Sequence, residues 1–243
     1  MMAASHLPRR SRLKLIHALP IAVLFTGCAS VSTPNAADPW EGFNRRTFQL
    51  NDAVDRAVVK PAATAYARVV PQFARTGIGN FFANLADVGT SLNNFLQGKG
   101  RQGLSDIGRF GINTTVGVVG LWDVATKVGL EKHREDFGQT LGWWGTPSGP
   151  YLVLPLFGPS TLRDAPAKLV DPMYFYTAGL SSGASLAYRA TDTVNARANL
   201  LPAEKVLNEA APPDRYAFVR DAWLQRRKYQ VYDGAPPKEN SVE

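Results

Sequence analysis

Between Phe137 and Asp164 the chain reads FGQTLGWWGTPSGPYLVLPLFGPSTLRD, and no other stretch so limits the folds available to it. From Phe137 to Leu162 there is no charged side chain, a length that as a helix would reach across a bilayer, for which about 20 apolar residues suffice. Pro147, Pro150, Pro155 and Pro159 forbid that helix, since each lacks a backbone donor and collides with the turn before it. An apolar segment that cannot be helical must find partners for its backbone elsewhere in the protein, whether protein or lipid covers its side chains. It is long enough to meet a membrane and unable to cross one.

The amino terminus explains how the chain gets there. A basic stretch from Arg9 to Lys14, an apolar run from Leu15 to Phe25 and then small residues read as an export signal. The sequence Phe25-Thr26-Gly27-Cys28 is similar to a bacterial lipoprotein signal, which makes residues 1–27 a signal peptide and Cys28 the acylated first residue of the mature chain. Cys28 is the single cysteine, so no intramolecular disulfide forms. Ala29 stands where an aspartate would retain the protein at the inner membrane, and by lipoprotein sorting rules this points to the outer membrane. Composition matters at this point. The net charge of +7 invites an anionic partner such as nucleic acid, but Arg9, Arg10, Arg12 and Lys14 belong to the signal. Without them 23 basic side chains face 20 acidic ones, with no basic patch interleaved with aromatics, and nucleic-acid binding is excluded.

Residues 28–37 are small and polar and read as a tether. The folded domain is expected over 38–232, opening with Asp38 as N-cap, Pro39 in the first turn and Glu41 closing a capping box. Phe43, Thr47, Leu50, Val54 and Val58 then share one helical face, and Pro61 is expected to end that helix. From Pro71 to Gln97 two stripes run at the same period. Ile78, Phe81, Phe82, Leu85, Val88, Leu92, Phe95 and Leu96 are apolar, while Asn80, Asn84, Asp87, Ser91 and Asn94 are polar and, but for Asp87, uncharged. A polar stripe poor in Lys and Glu suits a helix lining a wet passage, and equally the outer face of a soluble bundle. The uncharged run after Arg109 is too short to span a bilayer, and its glycines require close packing. A charged run, Glu131 to Asp136, is expected at a membrane surface or in the periplasm, with His133 exposed. Phe137 to Leu162 and the second uncharged run, Pro172 to Tyr188, are expected to be two arms of a hairpin that share a polar elbow at Arg163, Asp164, Lys168 and Asp171 and move as a gate. A final helix carries Tyr216, Val219, Trp223 and the basic group Arg226-Arg227-Lys228, placed to meet anionic head groups. Residues 233–243 read as a disordered tail.

One pattern carries a hint of catalysis. Gly179-Leu180-Ser181-Ser182-Gly183 matches the nucleophile motif of hydrolases, yet a helix-compatible segment precedes it and no histidine follows. The same residues match a close helix-packing pattern, as do Gly138 and Gly142. With His133 alone beyond the signal and one acylated cysteine, neither a metal centre nor a cofactor is expected.

Several motifs in order now identify a likeness. Asp38-Pro39-Trp40-Glu41-Gly42-Phe43-Asn44-Arg45, Asn80-Phe81 through Asn94-Phe95-Leu96-Gln97-Gly98, Arg109-Phe110 with Asn113-Thr114, Gly149-Pro150-Tyr151 with Leu154-Pro155, and Gly158 through Leu162-Arg163-Asp164 together resemble the VacJ/MlaA family. The resemblance covers about residues 38–229. It implies an all-α, ring-like helical bundle with a Gly/Pro-rich apolar hairpin, embedded in the inner leaflet of the outer membrane beside a trimeric porin. It further implies a non-enzymatic function: phospholipid leaves the outer leaflet through an amphipathic channel and passes to a periplasmic carrier protein, which preserves lipid asymmetry. On that likeness Asn80, Asn84, Asn94, Phe95 and Tyr151 are expected to line the channel or touch lipid, while Asn44, Gly149, Pro150, Pro155, Arg163 and Asp164 mark the family motifs. A structural scaffold lipoprotein and, more distantly, a lipid hydrolase are the competing functions.

Overall fold

The computed structural model describes residues 35–170, 181–209 and 213–237. The signal peptide, Cys28, most of the tether and residues 238–243 lie outside them. Nine α-helices and one two-stranded sheet are formed among the described residues. The expected all-α architecture therefore holds for the bulk of the chain, with a β-hairpin added where the prolines are densest.

Helix α1 (Glu41–Val54) does not stop before Pro61. It passes through a π-helical turn, Asp55–Val59, into α2 (Lys60–Val69). The widened turn accommodates Pro61, which has no N–H to give and whose ring needs room against the preceding turn. The long helix α3 (Gln72–Leu96) follows Pro71, and Gly98, at φ 75°, turns the chain into α4 (Gly100–Thr115). After the short α5 (Val124–Lys127), residues 130–136 run without regular structure into α6 (Phe137–Trp143). Then β1 (Tyr151–Leu154) and β2 (Gly158–Thr161) pair antiparallel, Tyr151 opposite Thr161 and Leu154 opposite Gly158. Helix α7 (Asp164–Val170), the 28-residue α8 (Ser182–Glu209) and α9 (Arg215–Val231) complete the chain.

Packing contacts close on themselves. In spatial order α1 touches β1, β1 pairs with β2, β2 meets α7, α7 meets α6, α6 meets α3, α3 meets α8, α8 meets α2, and α2 returns through the π-turn to α1. Helix α4 packs on α3 and α5, outside this cycle. The result is a ring of elements. No described helix is long and apolar enough to cross a membrane.

The apolar segment that dominates the sequence is thus α6, a β-hairpin and the start of α7, and it is anchored at both ends. It does not form one arm of a free hairpin. Of the second expected arm, residues 171–180 lie outside the described residues, and Ser182 to Tyr188 form the first turns of α8.

Candidate functional site

The polar stripe of α3 faces inward, toward α4. Asn84 Nδ2 donates to Thr114 Oγ1 at 2.9 Å, Ser91 Oγ to the carbonyl of Gly103 at 2.9 Å, and Asn94 Nδ2 to Asp106 Oδ2 at 2.8 Å. Asn84 and Asn94 are buried, so the structure places them in a helix–helix seam and not on a passage wall. Small residues permit this approach. A Cβ on Gly120 would lie 2.8 Å from Asn84 Nδ2, and one on Gly103 would lie 2.9 Å from the Phe95 ring. Asn80 is half-buried and donates to the Leu121 carbonyl, and Phe95 covers Gly103 while remaining 41% exposed.

The charged run expected at a surface closes this seam. Lys132 pairs with buried Asp87, His133 Nδ1 lies 2.9 Å from Asp106 Oδ1, and Glu135 accepts from Gln97 and Lys99. His133 is therefore half-buried against Asp106, not an exposed residue. Arg109 is 1% exposed and spreads its guanidinium over Asp123, Thr126 and the Leu130 carbonyl. Burial works against ionisation of Asp123, but donors from Thr126 and Asn113 and the charge of Arg109 hold its pKa at about 2. Asp87 and Glu135 are pushed above the ordinary carboxylate range, because burial outweighs Lys132 at the first and Gln97 with Lys99 at the second.

On the other side of the ring, the family-motif residues Asn44, Gly149, Pro150 and Pro155 shape and hold the β-hairpin. The edge of β1 that faces away from β2 has no strand partner, and α1 supplies one. Asn44 Nδ2 donates to the Tyr151 carbonyl at 3.0 Å, and Asn44 Oδ1 accepts from Val153 N at 2.8 Å. Two turns on, Asn51 repeats the exchange with the Leu154 carbonyl and Leu156 N. Asn44 also donates to Asp38, whose carboxylate takes Tyr216 Oη at 2.5 Å and Arg220 at 3.2 Å. Asp38 is thus a buried hub rather than the N-cap, a position held by Trp40. Tyr151 is fully buried against Tyr216 and Trp223, in the wall rather than on a passage. Gly149 adopts φ 67°, a left-handed conformation in which a side chain would press on Leu162, while Pro150 accepts from Leu162 N. Pro155 opens the β-turn whose next residue, Leu156, has φ 64°.

The expected elbow is an ionic centre. Arg163 Nε meets Asp164 Oδ1 at 2.8 Å, Arg227 Nε meets Asp164 Oδ2 at 2.9 Å, and both Nη atoms of Arg227 reach Asp136 at 2.6 Å. Burial raises Asp136 and Asp164, and the hydrogen bonds from Arg227 more than reverse it, so both stay below the ordinary range. Gly138 and Gly142 do pack closely, as their spacing predicted: a Cβ on Gly138 would collide with Arg227 and Asp164, and one on Gly142 with Arg163 and Val231. Arg227 is accordingly buried, and of the basic group on α9 it is not one free to meet head groups. Ser181, from the hydrolase-like motif, caps α8 by accepting from Ala184 N at 3.2 Å.

These placements produce an inverted molecule. Among the described residues, buried polar and charged side chains outnumber buried apolar ones more than two to one. The apolar side chains lie outside: Val88, Leu92, Phe95 and Leu96 on α3, Leu104 and Ile107 on α4, Val116 to Trp122 beyond it, Trp143 and Trp144 at the end of α6, and Leu156 and Phe157 at the hairpin tip. The polar stripe of α3 is buried in a seam, and of its apolar stripe Ile78, Phe81, Phe82 and Leu85 are half-buried while the residues from Val88 on are exposed. Polar groups withdrawn from water find partners only by turning toward each other. Leu50 and Val58, expected on the apolar face, are exposed, while Asn44 and Thr47 of α1 are buried.

Comparison with known proteins adds a second line. The family model described as MlaA lipoprotein matches residues 36–230. The chain is 37% identical over 224 residues to the intermembrane phospholipid transport system lipoprotein MlaA of Escherichia coli K12, covering 89% of this chain and 88% of that one. It is 32% identical over 232 residues to the Haemophilus influenzae protein of the same name, covering 90% and 91%. A solved structure concerned with the maintenance of bacterial outer membrane lipid asymmetry superposes with a TM-score of 0.69 at 36% identity, over 80% of this chain and 98% of that one.

Proposed function

Because the chain belongs to the MlaA lipoprotein family, we propose that it transports phospholipid and so maintains the asymmetry of an outer membrane, without making or breaking a bond. One observation carries the reading beyond kinship: the ring buries amides and ion pairs and presents valine, leucine and tryptophan outward. A water-soluble scaffold has the opposite distribution, since burial of apolar surface is what stabilises it. A body of this kind is at home in acyl chains, and with no described helix able to cross, immersion in one leaflet is the arrangement that fits.

On this reading Cys28 carries the acyl anchor and the ring sits in the inner leaflet at the periplasmic face. Phospholipid enters from the outer leaflet through the ring and is handed to a periplasmic carrier protein, with a trimeric porin as the neighbour in the membrane. Asn80 and Phe95, whose side chains remain accessible, are assigned to lipid contact. Asn84, Asn94 and Tyr151 hold the walls in register. A neutral amide suits a phosphodiester in transit, because a strongly cationic lining would retain it.

The test is extraction of lipid from the purified protein, followed by mass spectrometry. Intact diacyl phospholipid is expected. Free fatty acid or lysolipid would instead make the protein a hydrolase, and absence of lipid would favour a scaffold. Cysteine placed at Asn80 is expected to react with a small thiol reagent in membranes and cysteine at Asn94 to be protected; equal reactivity would overturn the division between contact and wall.

A further inference from the structure

Of the acidic side chains, one stands apart. Asp192, on α8, is half-buried, and among the described residues it is the single buried or half-buried carboxylate with neither a hydrogen bond nor an ion pair, since each of the others has a cationic partner. Burial alone acts on it and pushes its pKa above the ordinary carboxylate range. It belongs to the face of α8 that meets α3, where Tyr188, Asp192, Asn195 and Asn199 recur at helical spacing. On that face the Tyr188 ring meets Phe82 edge to face at 5.0 Å, and a Cβ on Gly79 would lie 3.3 Å from Asn195 Nδ2 and 4.0 Å from Asn199 Nδ2. The titratable and charged groups of the packed elements are engaged elsewhere. Tyr66 of α2 bonds Asn195 at 2.9 Å, Arg75 of α3 donates to Gln72, Arg197 is taken by Asp55 and Glu204, and Arg189 lines a cleft toward Val58 and Val59. Arg68 of α2 is exposed, two residues from Tyr66 and so on another face. Tyr188, one turn before Asp192, is itself pushed up by burial and by the charge of that carboxylate.

We propose that Asp192 faces the lipid passage and sets its head-group preference: a head of zero net charge that bears an ammonium is admitted, and a net-anionic head is disfavoured. An unpaired carboxylate is costly against acyl chains, and in proteins immersed in lipid such groups turn to a water-filled interior and mark the path of what is carried. Turned outward, Asp192 would set a bare charge among the valines and leucines that cover this ring. Within the passage its charge acts across several Å at the reduced dielectric of a protein, so discrimination by charge requires no fitted pocket. A phosphodiester without an amine is repelled. One that carries an ammonium offers the carboxylate an opposite charge and the neighbouring Tyr188 ring a cation. The assignment rests on the phospholipid-transport reading, for which it names the residue that discriminates among head groups.

The mature acylated protein is reconstituted with equal amounts of dioleoyl phosphatidylethanolamine and dioleoyl phosphatidylglycerol and exchanged into detergent, and the lipid that stays bound is quantified by mass spectrometry. The parent is expected to retain the ethanolamine lipid in roughly threefold excess or more, Asp192→Asn to retain both nearly equally, and Asp192→Glu to keep the parent's preference. Because no bond is lost, Asp192→Asn should melt at the parent's temperature or above it, which a structural role for the carboxylate would not allow. The parent's preference should fade as pH falls from about 8 to about 5, since a carboxylate with a raised pKa loses its charge early, and Asp192→Asn should show no such slope. Equal retention by the parent, a preference unchanged in Asp192→Asn, or a lowered melting temperature in that variant overturns the proposal. If any of these occurs while diacyl phospholipid stays bound, the transport reading stands and only the role of Asp192 falls; if no phospholipid is bound, both fall.

Discussion

Replacement of Arg227 by methionine tests whether the buried ionic centre holds the ring together. Arg163, Asp164, Arg227 and Asp136 form a quartet of zero net charge, and three of the four side chains are nearly inaccessible. Methionine keeps most of the volume but leaves Asp136 and Asp164 with a single cation between them. Removing one partner from a buried pair costs about 3–5 kcal/mol, which for a domain of this size lowers the melting temperature by roughly 6–20 °C. The companion variant is Arg227→Met with Asp136→Asn. It restores neutrality, because Arg163 still pairs with Asp164, and the asparagine can still accept from Gln139 N to cap α6. Its cost is expected to fall to about 1–2 kcal/mol, a coupling well above that of an exposed ion pair. Thermal unfolding in detergent, followed by circular dichroism, supplies all corners of the cycle. The pH dependence has a definite sign. Arg227 holds Asp136 and Asp164 below their ordinary pKa, so its contribution is full above about pH 4 and is lost as pH falls. The penalty of Arg227→Met is therefore largest near neutrality and shrinks toward acid. A penalty below about 1 kcal/mol, or no recovery in the double variant, would refute the reasoning.

Asn44→Ala strips the edge of β1 of both its donor and its acceptor and leaves Asp38 short of a partner; a loss of about 2–4 kcal/mol in thermal unfolding is expected, from about 1–3 kcal/mol for each buried group left unpaired. Gly138→Ala drives a methyl group into Arg227 and Asp164 and should cost about 1–3 kcal/mol by the same assay, whereas Gly111→Ala, with open space around it, should be neutral or slightly stabilising. Leu104→Lys with Ile107→Lys changes two exposed positions of α4: the melting temperature in detergent should hold, while membrane retention of a form lacking Cys28, read by flotation, should fall sharply. Acid unfolding should have two phases. Asp87 and Glu135 bind protons more readily folded than unfolded, so their protonation stabilises the fold as pH drops toward 4; Asp123, at about 2, resists, and with Asp136 and Asp164 makes stability fall between about pH 4 and 2. Asp123→Asn should flatten that lower slope.

Of the family-motif residues, Asn44 serves the backbone. Asn44 and Asn51, seven apart on α1, present their amides two turns apart in one direction, and together they replace a missing strand along β1. This is why an apolar, proline-broken segment can persist without a helix: its polar backbone is satisfied by amides from an element more than one hundred positions away. No local pattern marks those asparagines as strand partners. Their spacing could have been noticed, but the strand they serve is distant in sequence.

The sequence by itself determined that the chain is mainly helical, that its proline-broken central segment cannot be one long helix, and that Gly138 and Gly142 sit at a close approach. Periodicity, proline chemistry and the absence of charge are local properties and need no tertiary knowledge. It could not determine which stripe of α3 faces in. Hydrophobic periodicity reports that two faces differ, and only the medium around the finished fold decides which of them is the interior. Here the polar face turned inward, so Asn84 and Asn94 became seam, Phe95 became exterior, and the charged run of 130–136 became its set of counter-ions. The closing of the ring is likewise tertiary, since it depends on α3 meeting both α6 and α8, contacts that no repeat or spacing announces.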